Sequence, residues 1–255
     1  MARSAVRLQP IDDEERRCRV ELAAAYRICA REGLDDGIWT HFSAQVPGSP
    51  DRFLLKPHGI LFEEVCASNL IVVDLDGNMI EGEGEWEPTA FYIHSRIHAA
   101  YPSAKCILHT HMPYATALSD LPDHRLPMFS QTAVRFRNRI SYYNSYDGLA
   151  LEASVADRLV AAMEGRDILV MAHHGVNVSG HSVADALYTL HYFEATCREL
   201  AHVRTLAAGA PLTELPDDIA ALTFSQLEDE RRDYAHVHLA AYMRVLDREC
   251  PDYRN

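Results

Sequence analysis

Two histidines one residue apart close an apolar run in CILHTHMPYA, residues 106 to 115. If that run is a β-strand, side chains alternate faces with a period of two, so His109 and His111 leave its C-terminal end on the same side. Two imidazoles placed in this way can chelate one metal ion. The pair alone is weak evidence, because 14 histidines in 255 residues make roughly 0.8 such pairs expected by chance. A second pair, His236 and His238, lies in EDERRDYAHVHLAAYMRVLDREC, where helical character turns positions i and i+2 away from each other. That pair is expected to be a solvated or interface feature. The first pair differs in its setting. DILVMA is a second apolar run, and it delivers His173, His174 and Gly175 at its end. Ligand sites in sheet proteins lie beyond strand C-termini. His109, His111 and one of His173 or His174 therefore form a candidate set of three nitrogen ligands with an open fourth position, the catalytic arrangement for zinc.

The elements that must position these groups follow from periodicity and punctuation. A helix over roughly residues 12 to 32 ends at Gly33, a left-handed cap. THFSAQV, RFLLK and LIVVDLDGNMIEG read as short strands, the last a hairpin turning at Asp76-Gly77-Asn78 with Asp74 and Asp76 as turn residues. Thr89 is expected to cap the next helix, AFYIHSRIHAAY, which stops before Pro102. Downstream, NRISYY is a strand and LEASVADRLVAAMEG a helix closed by Gly165. A long helix, SVADALYTLHYFEATCRELAHVRTLAAG, precedes a last one from about Phe224 to Arg248. Helices and strands are interspersed with antiparallel hairpins, so the expected class is α/β, a three-layer α/β/α arrangement around a mixed, largely antiparallel sheet.

With 48% hydrophobic residues, the chain can bury a full core, and one domain over residues 1 to 255 is the simplest organisation. No stretch approaches the ~20 apolar residues of a membrane span, and no signal-type apolar segment opens the chain. A cytoplasmic location is expected. The six cysteines are scattered without Cys-x-x-Cys spacing, the distribution of reduced, buried thiols. A net charge of −13 excludes nucleic acid as an expected partner, since phosphate binding needs basic clusters; VRFRNR is too short to serve as one.

Taken together, HTH after one apolar strand, HHGV after a second, LLKPHGILFEE, SNLIVVDLDGNMIEGEG and PTAFYIHSRIHAAYPSAKCILHTH resemble the class II aldolase/adducin family. The motifs fall in the family's order, and the likeness runs from the first helix to the tail MRVLDRECPDY. The resemblance implies one divalent metal ion per chain, Zn2+ first and Fe2+ or Mn2+ as alternatives. It places the ligands at His109, His111 and His174, with His173 a neighbour. It also implies a homotetramer with active sites at subunit boundaries.

The departures from the family pattern shape the chemistry. Sugar-phosphate aldolases of the family carry a glutamate as ligand and proton-transfer group where this chain has Ala90; Glu85 and Glu87 lie a few residues earlier. Where those aldolases have phosphate-cradling loops, this chain has Thr40-His41-Phe42-Ser43 and Lys56-Pro57-His58-Gly59. The imidazoles of His41 and His58 and the ammonium of Lys56 can neutralise a carboxylate or polarise an oxygen, so a small organic acid is the expected substrate. Tyr143, among Tyr142, Tyr143 and Tyr146, is a candidate proton donor. His94 and His98, at i and i+4, have no third ligand indicated and are expected to pack or cap. His41, Lys56, His58 and Tyr143 are thus the candidate catalytic residues.

A divalent ion acts as a Lewis acid when a carbon–carbon bond breaks, and the family implies retro-aldol cleavage or decarboxylation. Decarboxylation needs no base to take a hydroxyl proton and tolerates the missing glutamate. A metal-dependent carbon–carbon lyase for a small hydroxy- or oxo-carboxylate is the leading expectation. A non-haem Fe(II) oxygenase for an aromatic or hydroxy acid is the alternative, and an adducin-like scaffold without catalysis the third.

Overall fold

The structure is a computed structural model and describes residues 13–255; residues 1 to 12, including the first position of the expected opening helix, lie outside the described part. Its elements are α1 (Asp13–Glu32), β1 (His41–Val46), β2 (Ser49–Leu55), β3 (Ile71–Asp74), β4 (Met79–Glu81), α2 (Pro88–Ala100), β5 (Cys106–Thr110), α3 (Pro113–Ser119), α4 (Gln131–Val134), β6 (Ile140–Tyr143), α5 (Ala153–Met163), β7 (Ile168–Met171), β8 (Gly175–Gly180), α6 (Val183–Ala207) and α7 (Asp217–Glu249). One eight-stranded sheet runs in the order β4-β3-β2-β1-β5-β8-β7-β6. Every neighbouring pair is antiparallel except β6 and β7, which are parallel. This is the expected mixed, largely antiparallel sheet.

Alternation along the strands divides the core between two faces. Phe42, Ala44, Cys106, Leu108, Val176 and Val178 pack in one cluster with α1 and α6 residues such as Tyr26, Leu187 and Phe193. Ile107, Leu169 and Met171 pack on the other face against Ile93 and Ile97 of α2 and Leu159 of α5. Covered on both sides, the central strands β1, β5, β7 and β8 are buried along their whole length, which is why β5 and β7 read as continuous apolar runs.

Several boundaries differ from the sequence expectation. The cap of α2 is Glu87, whose carboxylate accepts from the Ala90 amide at 2.8 Å and from the Thr89 hydroxyl. Pro88 occupies the first turn, where its missing N–H costs nothing, so capping falls to the residue before it. Glu87 is not among the residues that gather as potential metal ligands. α7 begins at Asp217, seven positions before the expected start, because Pro216 precedes it and Asp217 and Asp218 sit at the positive end of the helix dipole. His238 is half-buried, its ring packed among Tyr188, His191, Tyr192 and Tyr242. His236 is exposed as expected.

One buried carboxylate ties the helical layer to the end of β5. Glu194 of α6 accepts the amides of Tyr114 and Ala115, each at 2.8 Å, and so supplies the N-terminal cap that α3's own Met112 cannot. Glu194→Ala would leave two orphaned amides behind the His111 loop. The expected cost is about 3 kcal/mol, read as a fall in the urea midpoint at unchanged m-value.

Candidate metal centre

β5 and β7 run in the same direction with β8 between them, so both histidine-bearing C-termini emerge at the same end of the sheet's central strands. His109, His111 and His174 meet there, with one ligand atom from each lying within 4.8 Å of the others. Ring centroids are 5.0 Å apart for His109 and His111, 4.8 Å for His109 and His174, and 5.3 Å for His111 and His174. Among the described residues no other group of three potential ligands gathers in this way. His173 takes a left-handed conformation (φ 57°) in the turn, and its exposed ring lies 3.6 Å from Asp120 instead.

Gly175 makes the close approach feasible. Its φ is +153°, and a Cβ there would come within 2.9 Å of the Thr110 carbonyl oxygen and 3.1 Å of the His111 ring. Only glycine lets the turn after His174 lie against the end of β5.

Hydrogen bonds assign the ring nitrogens. His109 Nδ1 lies 3.1 Å from the Val176 carbonyl oxygen, which can only accept. His111 Nδ1 lies 2.8 Å from the Asp36 carboxylate. Both rings therefore donate through Nδ1, which leaves Nε2 as the atom that can turn toward a metal ion. His111 Nε2 is buried with no hydrogen-bond partner, and such orphaned atoms are rare unless something is meant to occupy them. Burial holds His109 well below the usual imidazole range, with His174, His41 and His111 adding to the effect, and burial followed by His111 brings His174 down to about 4. Neutral imidazoles at neutral pH are the form that binds a metal ion. The donor set thus fits a divalent ion of the borderline class that imidazole serves.

Asp36, on the loop after α1, had no spacing signal in GLDDGIWT and became recognisable only through its distance to His111. Removing an outer partner of this kind weakens metal binding by about 10- to 100-fold. Asp36→Ala is expected to do so, as measured by competition with a chelator.

The candidate catalytic residues are distributed unequally around this centre. His41 is paired across the strands with His109, their rings 4.9 Å apart, and is buried at the triad. Lys56 is buried, donating to the carbonyls of Ile38 at 3.1 Å and Ile60 at 3.0 Å. Burial brings its ammonium down to about 8, and its charge reaches His41. It joins the two loops flanking β1 and β2. His58 stands on an exposed turn with its ring 6.4 Å from that of exposed Trp39. The Tyr143 hydroxyl donates to Asp147, itself paired with Arg158. Tyr143 shares a cavity of about 20 Å³ with His174 and Tyr146, and the exposed Tyr146 has its ring 6.5 Å from that of His174.

Residues 20–201 match the family described as class II aldolase and adducin N-terminal domain. The chain belongs to the class II aldolase and adducin family. It resembles a crystal structure of an aldolase II superfamily protein from Pseudomonas syringae, 35% identical with a TM-score of 0.88 over 96% of this chain and 98% of that one. An L-fuculose 1-phosphate aldolase from Glaciozyma antarctica superposes with a TM-score of 0.82 at 25% identity over 97% of both chains. An adducin-related protein of Schizosaccharomyces pombe is 33% identical over 97% of this chain and 79% of its own length. The three-layer architecture is the one these class II aldolase structures share. Among the described residues, no helix is long and apolar enough to cross a membrane.

Proposed function

We propose that the chain is a metal-dependent carbon–carbon lyase that cleaves a small hydroxy- or oxo-carboxylate by retro-aldol reaction or decarboxylation. The observation that carries this reading is the convergence of three imidazoles, two with Nδ1 already engaged so that Nε2 is the atom left to bind, and one of these Nε2 atoms, on His111, buried without a partner. His109, His111 and His174 would hold one divalent ion, with Zn2+ first and Fe2+ or Mn2+ also suited to the set. When bound, the ion would supply Lewis acidity toward a carbonyl or hydroxyl oxygen of the substrate.

The chain's own groups then divide the remaining work. Val176 and Asp36 orient two of the ligand rings. Ala90 is buried on α2, so the carboxylate of the sugar-phosphate branch has no counterpart at that position. Proton handling falls instead to imidazole, with His41 the nearest ring outside the triad on β1. A reaction whose electron pair is released by loss of carbon dioxide makes the smallest demand on such a group. Lys56 would hold the β1 and β2 loops around the substrate, and His58, Trp39 and Tyr146 would line the approach. Exposed Ile219, Leu222 and Val237 on α7 support assembly into the homotetramer.

The test is elemental analysis of protein purified without an affinity tag and without oxygen, followed by a screen of hydroxy- and oxo-acids for release of carbon dioxide or aldehyde. About one zinc or manganese ion per chain together with turnover supports the lyase. Iron together with substrate-dependent oxygen uptake replaces it with the oxygenase. No metal even after reconstitution leaves a non-catalytic scaffold, and robust cleavage of a sugar phosphate overturns the organic-acid assignment.

A further inference from the structure

A line of hydrogen-bonded side chains runs from the triad into the layer between β1 and α2. His41 Nδ1 lies 2.8 Å from His94 Nε2. His94 Nδ1 meets Ser43 Oγ, Ser43 Oγ lies 2.8 Å from His98 Nε2, and His98 Nδ1 ends the line 2.9 Å from the carbonyl oxygen of Ala104. All four side chains are buried, none more than 4% exposed. The line arises because α2 places His94 and His98 one turn apart over β1, where His41 and Ser43 project from the same face.

The terminal carbonyl allows one arrangement of protons when the imidazoles are neutral, and burial depresses the two on α2, His98 to about 4 and His94 well below the ordinary range. A carbonyl oxygen only accepts, so His98 carries its proton on Nδ1 and accepts at Nε2. The donor there is the Ser43 hydroxyl, whose single proton is then spent. Ser43 must accept from His94 Nδ1, leaving His94 Nε2 to accept from His41 Nδ1. His41 therefore retains an unprotonated Nε2.

We propose that the Ala104 carbonyl, acting through His98, Ser43 and His94, locks His41 in the Nδ1–H tautomer, so that the metal centre is bordered by an obligate hydrogen-bond acceptor at His41 Nε2. His98, Ser43 and His94 are positioning residues in this scheme, and Ala104 supplies the direction. The consequence deepens the proposed lyase and rests on it only for its use: an acceptor nitrogen stands at the centre in a chain where Ala90 provides no carboxylate. The selectivity it imparts is for a ligand presenting a hydroxyl or other donor to that side of the site.

The test is a two-bond proton–nitrogen correlation spectrum of the intact protein labelled with 15N-histidine, with His41 signals assigned by their loss in His41→Gln. The expected result is protonated Nδ1 and bare Nε2 for His41, His94 and His98. In Ser43→Ala the line is cut, and His41 should shift to a mixed population or to Nε2–H; Ser43→Thr keeps the hydroxyl and should keep the wild-type pattern. Nε2–H on His41 in the wild-type protein would overturn the proposal, and so would a His41 pattern unchanged in a folded Ser43→Ala variant. The wild-type spectrum decides alone if a variant does not fold. The readout needs no turnover: the tautomer pattern without lyase activity would sink the proposed function and leave the lock standing.

Discussion

His111→Ala is expected to yield a folded protein that no longer retains metal or activity. His111 lies beyond the end of β5, half-buried, and its side chain is tied by one hydrogen bond, to Asp36. The core behind it, Met112 and Ala115, is held independently through the backbone that Glu194 caps. The stability cost should therefore stay near 1 kcal/mol, the scale of one partly exposed hydrogen bond. Ligand loss is more severe: two imidazoles replace three, and the fall in affinity should exceed the 10- to 100-fold that outer-sphere removal costs. Elemental analysis after gel filtration should find metal in the wild-type protein and none in the variant, with matching circular dichroism. His174→Ala should behave alike. Stoichiometric metal in both variants would refute the ligand assignment.

Acid should destabilise the metal-free protein more steeply than its carboxylates alone would cause. His41, His94, His98 and His109 are buried and held neutral, His98 with its proton affinity brought down to about 4. In the unfolded chain each titrates near 6.5. Below that pH the unfolded state binds more protons than the folded state, so stability falls as pH falls. The loss begins near pH 6.5 and, for His98, continues to about 4. At pH 5 each ring that stays neutral in the fold costs about 2 kcal/mol, and four together at most about 8, against a typical total of about 5–15 kcal/mol. Urea midpoints at pH 7.5, 6 and 5 should decline sharply, with unfolding approached at the lowest pH. A midpoint flat across that range would show that these rings are protonated in the fold or already reachable by water.

Local patterning was enough to read the layers, most of the elements, and His109 and His111 as members of the histidine cluster. Period-two alternation puts His109 and His111 on one side whatever surrounds them, and two apolar runs ending in histidines mark strands buried on both faces. These signals are local, set within a few residues along the chain. The choice of His174 over His173 needed either the family resemblance or the turn, where a left-handed His173 and the absent side chain of Gly175 decide which ring turns inward.

The contacts that local pattern could not give join elements far apart in sequence. Asp36 and His111 are separated by 75 positions, and Glu194 reaches the amide of Ala115 across 79. Spacing at i and i+4 says only that His94 and His98 share a helix face, which by itself points to packing. That this face lies over Ser43 and His41, and that a lone carbonyl at Ala104 ends the line, depends on how α2 docks on β1. Prolines blur both helix starts: Pro88 in the first turn of α2 leaves capping to Glu87, and Pro216 at the N-cap of α7 offers no side-chain cap of its own. Local pattern states which side chains share a face. Which polar atoms satisfy one another across faces is settled when buried donors and acceptors must find partners without water.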